Sequence, residues 1–402
     1  MRFLRNAVVT GSAFVWLAGC AAILGIEPTD VIENGDGAVG SNDGNGPGSD
    51  GGPGSDDGPG GSGDGAPTGD GAPGSTPAFA VDCASSLVAI DPNGDEASAI
   101  VADNGGLFWA TPYDSSVGQV WSRIGGVQSL IAGNNPADIS KSEPSIVGLA
   151  LDSGDLYWTS RDTYAGAGPS HLKQWSRTSH VIVEADLTSA GTGVSEVTLA
   201  GGFLFFGNWL KQGASANLLS ISAPFTKNQK PVIRSGGLQS PLHFASDFDA
   251  VYYDEATAAI GNQNQVSLES AQYNGANEIE PSANDVEDIV VGLDSRVYWT
   301  QANDGEIQTH QVERDAGTTT LVSMEYPHFL AYDGDHRMLY VLNSSQENVW
   351  SVQRVSTTDS NPQPVMCVDN LTDGGAIQYW NQHVYFSAKS AHGSALFDLS
   401  VK

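Results

Sequence analysis

Short apolar runs centred on aromatic residues, each bounded by Gly, Asp, Asn or Ser, recur along the chain from residue 107 onward. They are Leu107-Phe108-Trp109, Leu156-Tyr157-Trp158-Thr159, Phe203-Leu204-Phe205-Phe206, Val251-Tyr252-Tyr253, Val297-Tyr298-Trp299-Thr300, Leu339-Tyr340-Val341 and Val384-Tyr385-Phe386. With Phe108, Tyr157, Phe205, Tyr252, Tyr298, Tyr340 and Tyr385 as anchors, the spacings are 49, 48, 47, 46, 42 and 45 residues. A period of this size marks repeated supersecondary units. Before an anchor comes an apolar run and a polar turn, as in Gly148-Leu149-Ala150-Leu151 followed by Asp152-Ser153-Gly154-Asp155. Two strands joined in this way form a hairpin. After the anchor comes a variable polar loop and then an alternating stretch such as Gln119-Val120-Trp121-Ser122-Arg123 or Asn348-Val349-Trp350-Ser351-Val352, the pattern of a half-buried strand. A weaker fourth strand is visible at Val181-Ile182-Val183, Pro231-Val232-Ile233 and Thr320-Leu321-Val322.

Four antiparallel strands per unit and almost no helix predict an all-β fold, a seven-bladed β-propeller, with six or eight blades left open; a pair of β-sandwiches or an open solenoid is the alternative. The last unit reaches Lys402 after three strands, whereas Leu87-Val88-Ala89-Ile90 is a strand without a unit. That N-terminal strand is predicted to complete the last blade and close the ring. The anchors resemble the YWTD repeats of the propellers in low-density lipoprotein receptors, best seen in Tyr157-Trp158-Thr159-Ser160 and Tyr298-Trp299-Thr300-Gln301. The receptor propellers have six blades, and no Asp follows Tyr-Trp-Thr here, so the resemblance implies the blade architecture and not the receptor function.

The first nineteen residues read as a secretory signal: Arg2 and Arg5 precede an apolar stretch from Ala7 to Leu17 that is too short to span a bilayer comfortably. Leu17-Ala18-Gly19-Cys20 resembles the bacterial lipobox, which implies cleavage before Cys20 and acylation of its thiol and amine; an ordinary signal peptide cut nearby is the alternative. Acyl chains contribute roughly 0.8 kcal/mol per buried CH2, so several hold a domain on a membrane nearly permanently. Ala21 stands where the inner-membrane retention signal of such lipoproteins has Asp, which implies the outer membrane, facing the periplasm or the cell exterior. The chain is thus similar to bacterial outer-membrane lipoproteins carrying a YWTD-like β-propeller. Residues 20–33 form a membrane-proximal segment, 34–78 a tether and 79–402 the propeller. The tether holds 17 Gly, 6 Pro and 7 Asp and no aromatic residue, Lys or Arg; such a composition cannot offset backbone entropy and predicts disorder.

Charge narrows the partners. Seventeen Lys and Arg against 47 Asp and Glu give −30, and subtracting −1 for residues 1–33 and −7 for the tether leaves −22 on the propeller. A domain this acidic repels nucleic-acid backbones and anionic lipid surfaces. The bilayer reached through Cys20 and an extracellular or periplasmic ligand are the expected partners, and the domain is expected to be a monomer. Once Cys20 is acylated, Cys83 and Cys367 are the cysteines left; two thiols in an oxidising compartment most simply pair, stapling the seam of the ring, the alternative being two buried free thiols.

No Gly-x-Ser-x-Gly elbow, phosphate-binding loop, His-Glu-x-x-His helix or Cys-x-x-Cys pair occurs, so no catalytic residue and no cofactor is implied by motif. A propeller can still assemble a site from distant repeats, because loops of one face converge on its axis. The loops after the anchors supply Tyr113 and Asp114, then Arg161, Asp162, Tyr164 and His171, then Trp209 and Lys211. Aromatics with mixed charges on long loops suit recognition of a glycan, peptide or protein. The loops that lead into each inner strand add Glu143, His243, Asp285, Glu325 and His328, which could collect a divalent metal, as in lactonase-like propellers. Two function classes follow: a membrane-anchored binding module, and a metal-assisted lactonase- or lyase-like enzyme.

Overall fold

A computed structural model describes residues 78–80, 83–91, 97–111, 118–133, 145–161, 169–188, 193–209, 216–238, 242–247, 250–256, 265–272, 275–277, 282–284, 286–293, 296–312, 317–347, 349–390 and 393–402. Among these residues all regular structure is β, and the strands fall into seven antiparallel sheets. The first sheet comprises Ala99–Asp103, Gly106–Thr111, Gln119–Ile124 and Val127–Ala132. The second has Ser145–Leu151, Asp155–Arg161, Ser170–Ser176 and Ile182–Glu184, and the third Gly193–Ala200, Phe203–Trp209, Ala216–Ser222 and Val232–Leu238. The fourth begins with Phe244–Ser246 and Ala250–Ala256; the fifth is Val286–Val291, Arg296–Gln301, Glu306–Gln311 and Thr318–Ser323. The sixth is Pro327–Asp333, Met338–Ser344, Trp350–Ser356 and Val365–Leu371; the seventh starts with Asp373–Trp380, His383–Ser390 and Gly393–Val401. The first strand of each sheet touches the first strand of the next, and that of the seventh touches that of the first. This is a β-propeller arrangement with those strands innermost.

The aromatic pairs explain why the sheets stack. Successive residues of a strand point to opposite faces, so Tyr157 packs among residues of the third sheet such as Phe206, whereas Trp158 packs with Phe108 of the first. Both are fully buried. One dipeptide thereby fills two interfaces, and each such ring removes roughly 150–250 Å² from water. Hydroxyls and carboxylates lock the same interfaces: Thr159 Oγ1 donates to Ser195 O at 2.8 Å, Thr300 Oγ1 to His328 O at 3.1 Å and Ser387 Oγ to Ala97 O at 2.7 Å. The Thr of each Tyr-Trp-Thr run is therefore an inter-sheet clasp.

At the turns the grammar is aspartate-led. Asp152 Oδ1 accepts from the backbone N–H groups of Gly154 and Asp155, and its Oδ2 accepts from the anchor hydroxyl of Tyr157 at 3.0 Å; Asp247 and Tyr252 repeat the arrangement at 2.9 Å. Desolvation, with the Asp152 charge second, raises the Tyr157 pKa and keeps it a donor.

Residues 87–90 do complete the last sheet, within a longer strand, Ala84–Asp91, whose Leu87 pairs with Leu399 and Val88 with Asp398. A two-residue strand at Ala78–Phe79, absent from the sequence reading, adds a fifth strand to the sixth sheet by pairing with Val368 and Asp369. Between the two strands Cys83 is bonded to Cys367, across a sequence separation of 284. The bridge thus ties the residue just before the seventh sheet's outermost strand to the fourth strand of the sixth sheet. Cys20, the signal and the tether up to residue 77 lie outside the described residues.

Candidate functional site

In an antiparallel sheet of four strands, the first strand starts on the same face on which the second ends and the third begins. That face, called upper here, also receives the chain from the preceding sheet. Several polar side chains buried on or beside the inner strands lie toward it. Glu196, fourth residue of the third sheet's inner strand, is fully buried and its Oε2 accepts the N–H of Phe244 in the fourth sheet at 2.6 Å. Asp288 repeats this two interfaces further on, between the fifth and sixth sheets, accepting from Leu330 N and from Ile289 N, both at 2.7 Å. His243, just before the fourth sheet, has Nδ1 2.9 Å from Asp254 Oδ2, while Asp254 Oδ1 accepts the N–H groups of Leu242 and His243.

Three buried carboxylates and one imidazole thus share a buried region. Burial, then the charges of Asp288 and Asp254, hold Glu196 well above the usual carboxylate range. Burial likewise pushes Asp288 up to about 7, against its two backbone hydrogen bonds. For His243 burial works downward, but the charge and hydrogen bond of Asp254 outweigh it and the imidazole is raised.

A second group stands on the same face at the interface of the fifth and sixth sheets, which Asp288 also bridges. His328 Nδ1 meets the Glu287 carboxylate, His328 Nε2 lies 2.8 Å from Ser344 Oγ, and the imidazole is stacked on Trp350 with ring centroids 4.4 Å apart. Trp350 presses in turn on Gly374, where an added Cβ would come within 2.6 Å of the indole.

The residues expected to form the binding face divide sharply. Tyr113, Asp114, Asp162, Tyr164 and Lys211 lie outside the described residues, and of Trp209 only the backbone, at the end of a strand, is described. Arg161, expected on a loop, instead ends the second strand of the second sheet and is 5 % exposed. His171 sits on that sheet's third strand with Nδ1 2.6 Å from Glu184 Oε1, and this hydrogen bond lowers the Glu184 pKa.

Of the metal candidates, Glu143 and Asp285 are outside the described residues, and Glu325 is exposed in the turn before the sixth sheet. His243 and His328 share the upper face, but each has its Nδ1 engaged by a carboxylate. Among the described residues no three His, Cys, Asp or Glu side chains gather as a metal-binding group. Sequence reading missed Glu196, Asp254, Glu287, Asp288, Ser344 and Trp350. The available signal was an acid inside an apolar strand, as in Val194-Ser195-Glu196-Val197 and Val286-Glu287-Asp288-Ile289. Two clefts of about 500 and 250 Å³ open at the turns of the opposite face, around Arg296, Arg337 and Thr357 and around Asp103, Arg123 and Trp380, and neither holds a binding or metal candidate.

No protein-family model matches the chain, and no curated protein matches it in sequence. Solved structures match in fold. Virginiamycin B lyase from Staphylococcus aureus is similar with a TM-score of 0.50 and 13 % identity, covering 79 % of this chain and 99 % of the lyase. The catalytically inactive form of that lyase in which a histidine is replaced by alanine, with quinupristin, gives 0.51 and 14 % over the same shares. The nidogen/laminin complex gives 0.44 and 14 %, covering 68 % of this chain and 97 % of that one. At these identities the likeness to the lyase speaks for the β-propeller fold alone.

Proposed function

We propose that this chain is a lipid-anchored surface β-propeller, its seven sheets being seven blades of one ring, that acts as a binding module for an extracellular glycan, peptide or protein. Cys20 is its acylated first residue, and the outer membrane is where it resides. The observation that carries the recognition reading is the stack of His328 on the half-buried Trp350 at 4.4 Å, an aromatic platform on the face to which the sequence also assigns Tyr113, Tyr164 and Trp209. Rigid aromatics beside polar groups are the usual anchors of recognition, and a charge of −22 on the domain favours neutral or basic partners over anionic ones.

Retention of the full-length protein on an array of extracellular glycans and peptides tests this reading. The parent should be retained on a defined class of spots, and Tyr164→Ala combined with Trp209→Ala should lose most of that signal while melting within a few degrees of the parent. Truncating an aromatic anchor typically costs about 2 kcal/mol or more of binding. A fall in stability of several kcal/mol in the double variant would make these side chains core residues; equal retention by both proteins would remove them from the binding face.

Lyase- or lactonase-like chemistry is the second reading. It is favoured by two histidines, His243 and His328, on one face, each backed by a carboxylate, and by the fold shared with a lyase that loses catalysis when one histidine is replaced.

A further inference from the structure

The group at His328 has a connectivity that recognition does not require. His328 is the second residue of Pro327–Asp333, at a bulge in that strand's pairing between Pro327 and Phe329. Glu287 reaches it from the fifth sheet and Ser344 from the end of the neighbouring strand of its own sheet. The Glu287 and His328 side chains are 13 % and 14 % exposed, so both are shielded without being sealed.

An ionised carboxylate can only accept a hydrogen bond, so Glu287 fixes the imidazole proton on Nδ1. In the neutral imidazole Nε2 is then an acceptor, to which the hydroxyl of Ser344, 2.8 Å away, donates. Trp350, stacked on the imidazole, holds the ring in that plane. A serine hydroxyl donating to a neutral imidazole whose other nitrogen is held by a carboxylate is an activated nucleophile, recognised by geometry and not by position in sequence.

We propose that Ser344, His328 and Glu287 form an acyl-transfer centre that hydrolyses small carboxylic esters, lactones included. Ser344 Oγ adds to the ester carbonyl carbon as its proton passes to His328 Nε2, and the Glu287 carboxylate stabilises the imidazolium. The C–O bond of the ester then breaks, the departing alkoxide takes the Nε2 proton, and the acyl group is left on Oγ. Water attacks the acyl carbon, giving a proton to Nε2; the acid departs and that proton returns to Oγ. Ester and water become acid and alcohol.

Esters are preferred over amides for a structural reason. The backbone N–H groups of Ser344 and Ser345 already donate to Tyr326 O and Val349 O. Amide cleavage leans heavily on donors free to meet the oxyanion, whereas an aryl ester or a strained lactone has a better leaving group or relieved strain to draw on. Ser344 and His328 touch the reacting atoms; Glu287 is a positioning residue.

This activity goes beyond the recognition reading, and retention without hydrolysis or hydrolysis without retention tells the two apart. The test uses the full-length protein with a fluorophosphonate probe and, separately, with p-nitrophenyl acetate. One phosphonyl group should appear on Ser344 by peptide mass spectrometry, and ester hydrolysis should fall about 100-fold or more in Ser344→Ala at unchanged melting temperature. Glu287→Gln should slow hydrolysis and move the midpoint of the pH–rate profile to lower pH, because the imidazole loses a charge that favours its protonation; Glu287→Asp should restore part of both. No phosphonyl group on Ser344, or full hydrolysis by Ser344→Ala, overturns the centre. Labelling of Ser344 undiminished in a folded His328→Gln variant overturns the relay.

Discussion

Asp288 accepts two backbone hydrogen bonds, each of which favours its charged form, yet burial outweighs them and its pKa stands at about 7. A carboxyl whose folded pKa exceeds its unfolded value binds protons more tightly when folded. Its contribution to stability is complete below the unfolded pKa, near 4, and is lost as pH rises through about 7. Glu196 and His243 are also raised and act in the same direction. Glu184, lowered by its bond to His171, acts oppositely, but in a window below its ordinary value of 4.5. Thermal melting should therefore fall between pH 5 and pH 8, and Asp288→Asn, which cannot ionise, should flatten that slope; an identical slope in the variant would show that Asp288 carries no proton across this range. At this scale the sequence was only partly legible. The Thr of Tyr-Trp-Thr was visible as a repeat and proved to be a clasp between sheets. Glu196 and Asp288 were not singled out, because a carboxylate in an apolar strand signals a site only once the N–H it accepts, from a residue about 40 or more positions away, is known.

The hairpins were legible because each strand pair is local and its turn is written in Asp and Gly. The fourth strands were found within a few residues: Val181-Ile182-Val183 corresponds to Ile182–Glu184 and Thr320-Leu321-Val322 to Thr318–Ser323. Irregularities of the inner strands were not legible, since a bulge does not interrupt the apolar run. Five inner strands shift register against their neighbours near the upper face, at Ile146/Gly148, Val194/Val197, Val286/Ile289, Pro327/Phe329 and Gly374/Ile377. Such bulges re-aim side chains, here Glu196, Glu287, Asp288 and His328. Gly148 shows the accompanying constraint: a Cβ there would lie 3.0 Å from Glu196 Cα and Val197 N, backbone of the adjacent sheet that has little room to give. Gly148→Val should destabilise by about 1–3 kcal/mol through overpacking and loosen the second interface. Denaturant unfolding measures this, and an unchanged midpoint would mean that the inner strands part without cost.

Across the whole molecule the N-terminal chain is the closing element. Ala78–Phe79 extends the sixth sheet, Cys83 is bonded to Cys367, and Ala84–Asp91 completes the seventh. Ala80 N donates to Cys367 O and Lys402 N to Cys83 O, so both chain directions meet at the seam. Closing so long a loop contributes an upper figure of about 5 kcal/mol in the chain-entropy model. Residues 87–90 were legible as a strand without a unit; Ala78–Phe79 was not, being two residues that follow a Gly- and Pro-rich stretch.

If the strap closes the ring, and so holds the upper face together, thermal melting of two truncations decides it. One lacks residues 20–76 and the other residues 20–91, both carrying Cys367→Ser so that no bridge contributes. The shorter deletion should melt cooperatively, and the longer one, which bares the edge of Gly393–Val401, should melt about 10 °C or more lower, the shift that a loss of several kcal/mol brings at this size. Equal melting of the two proteins would contradict a ring closed by its N-terminal strands.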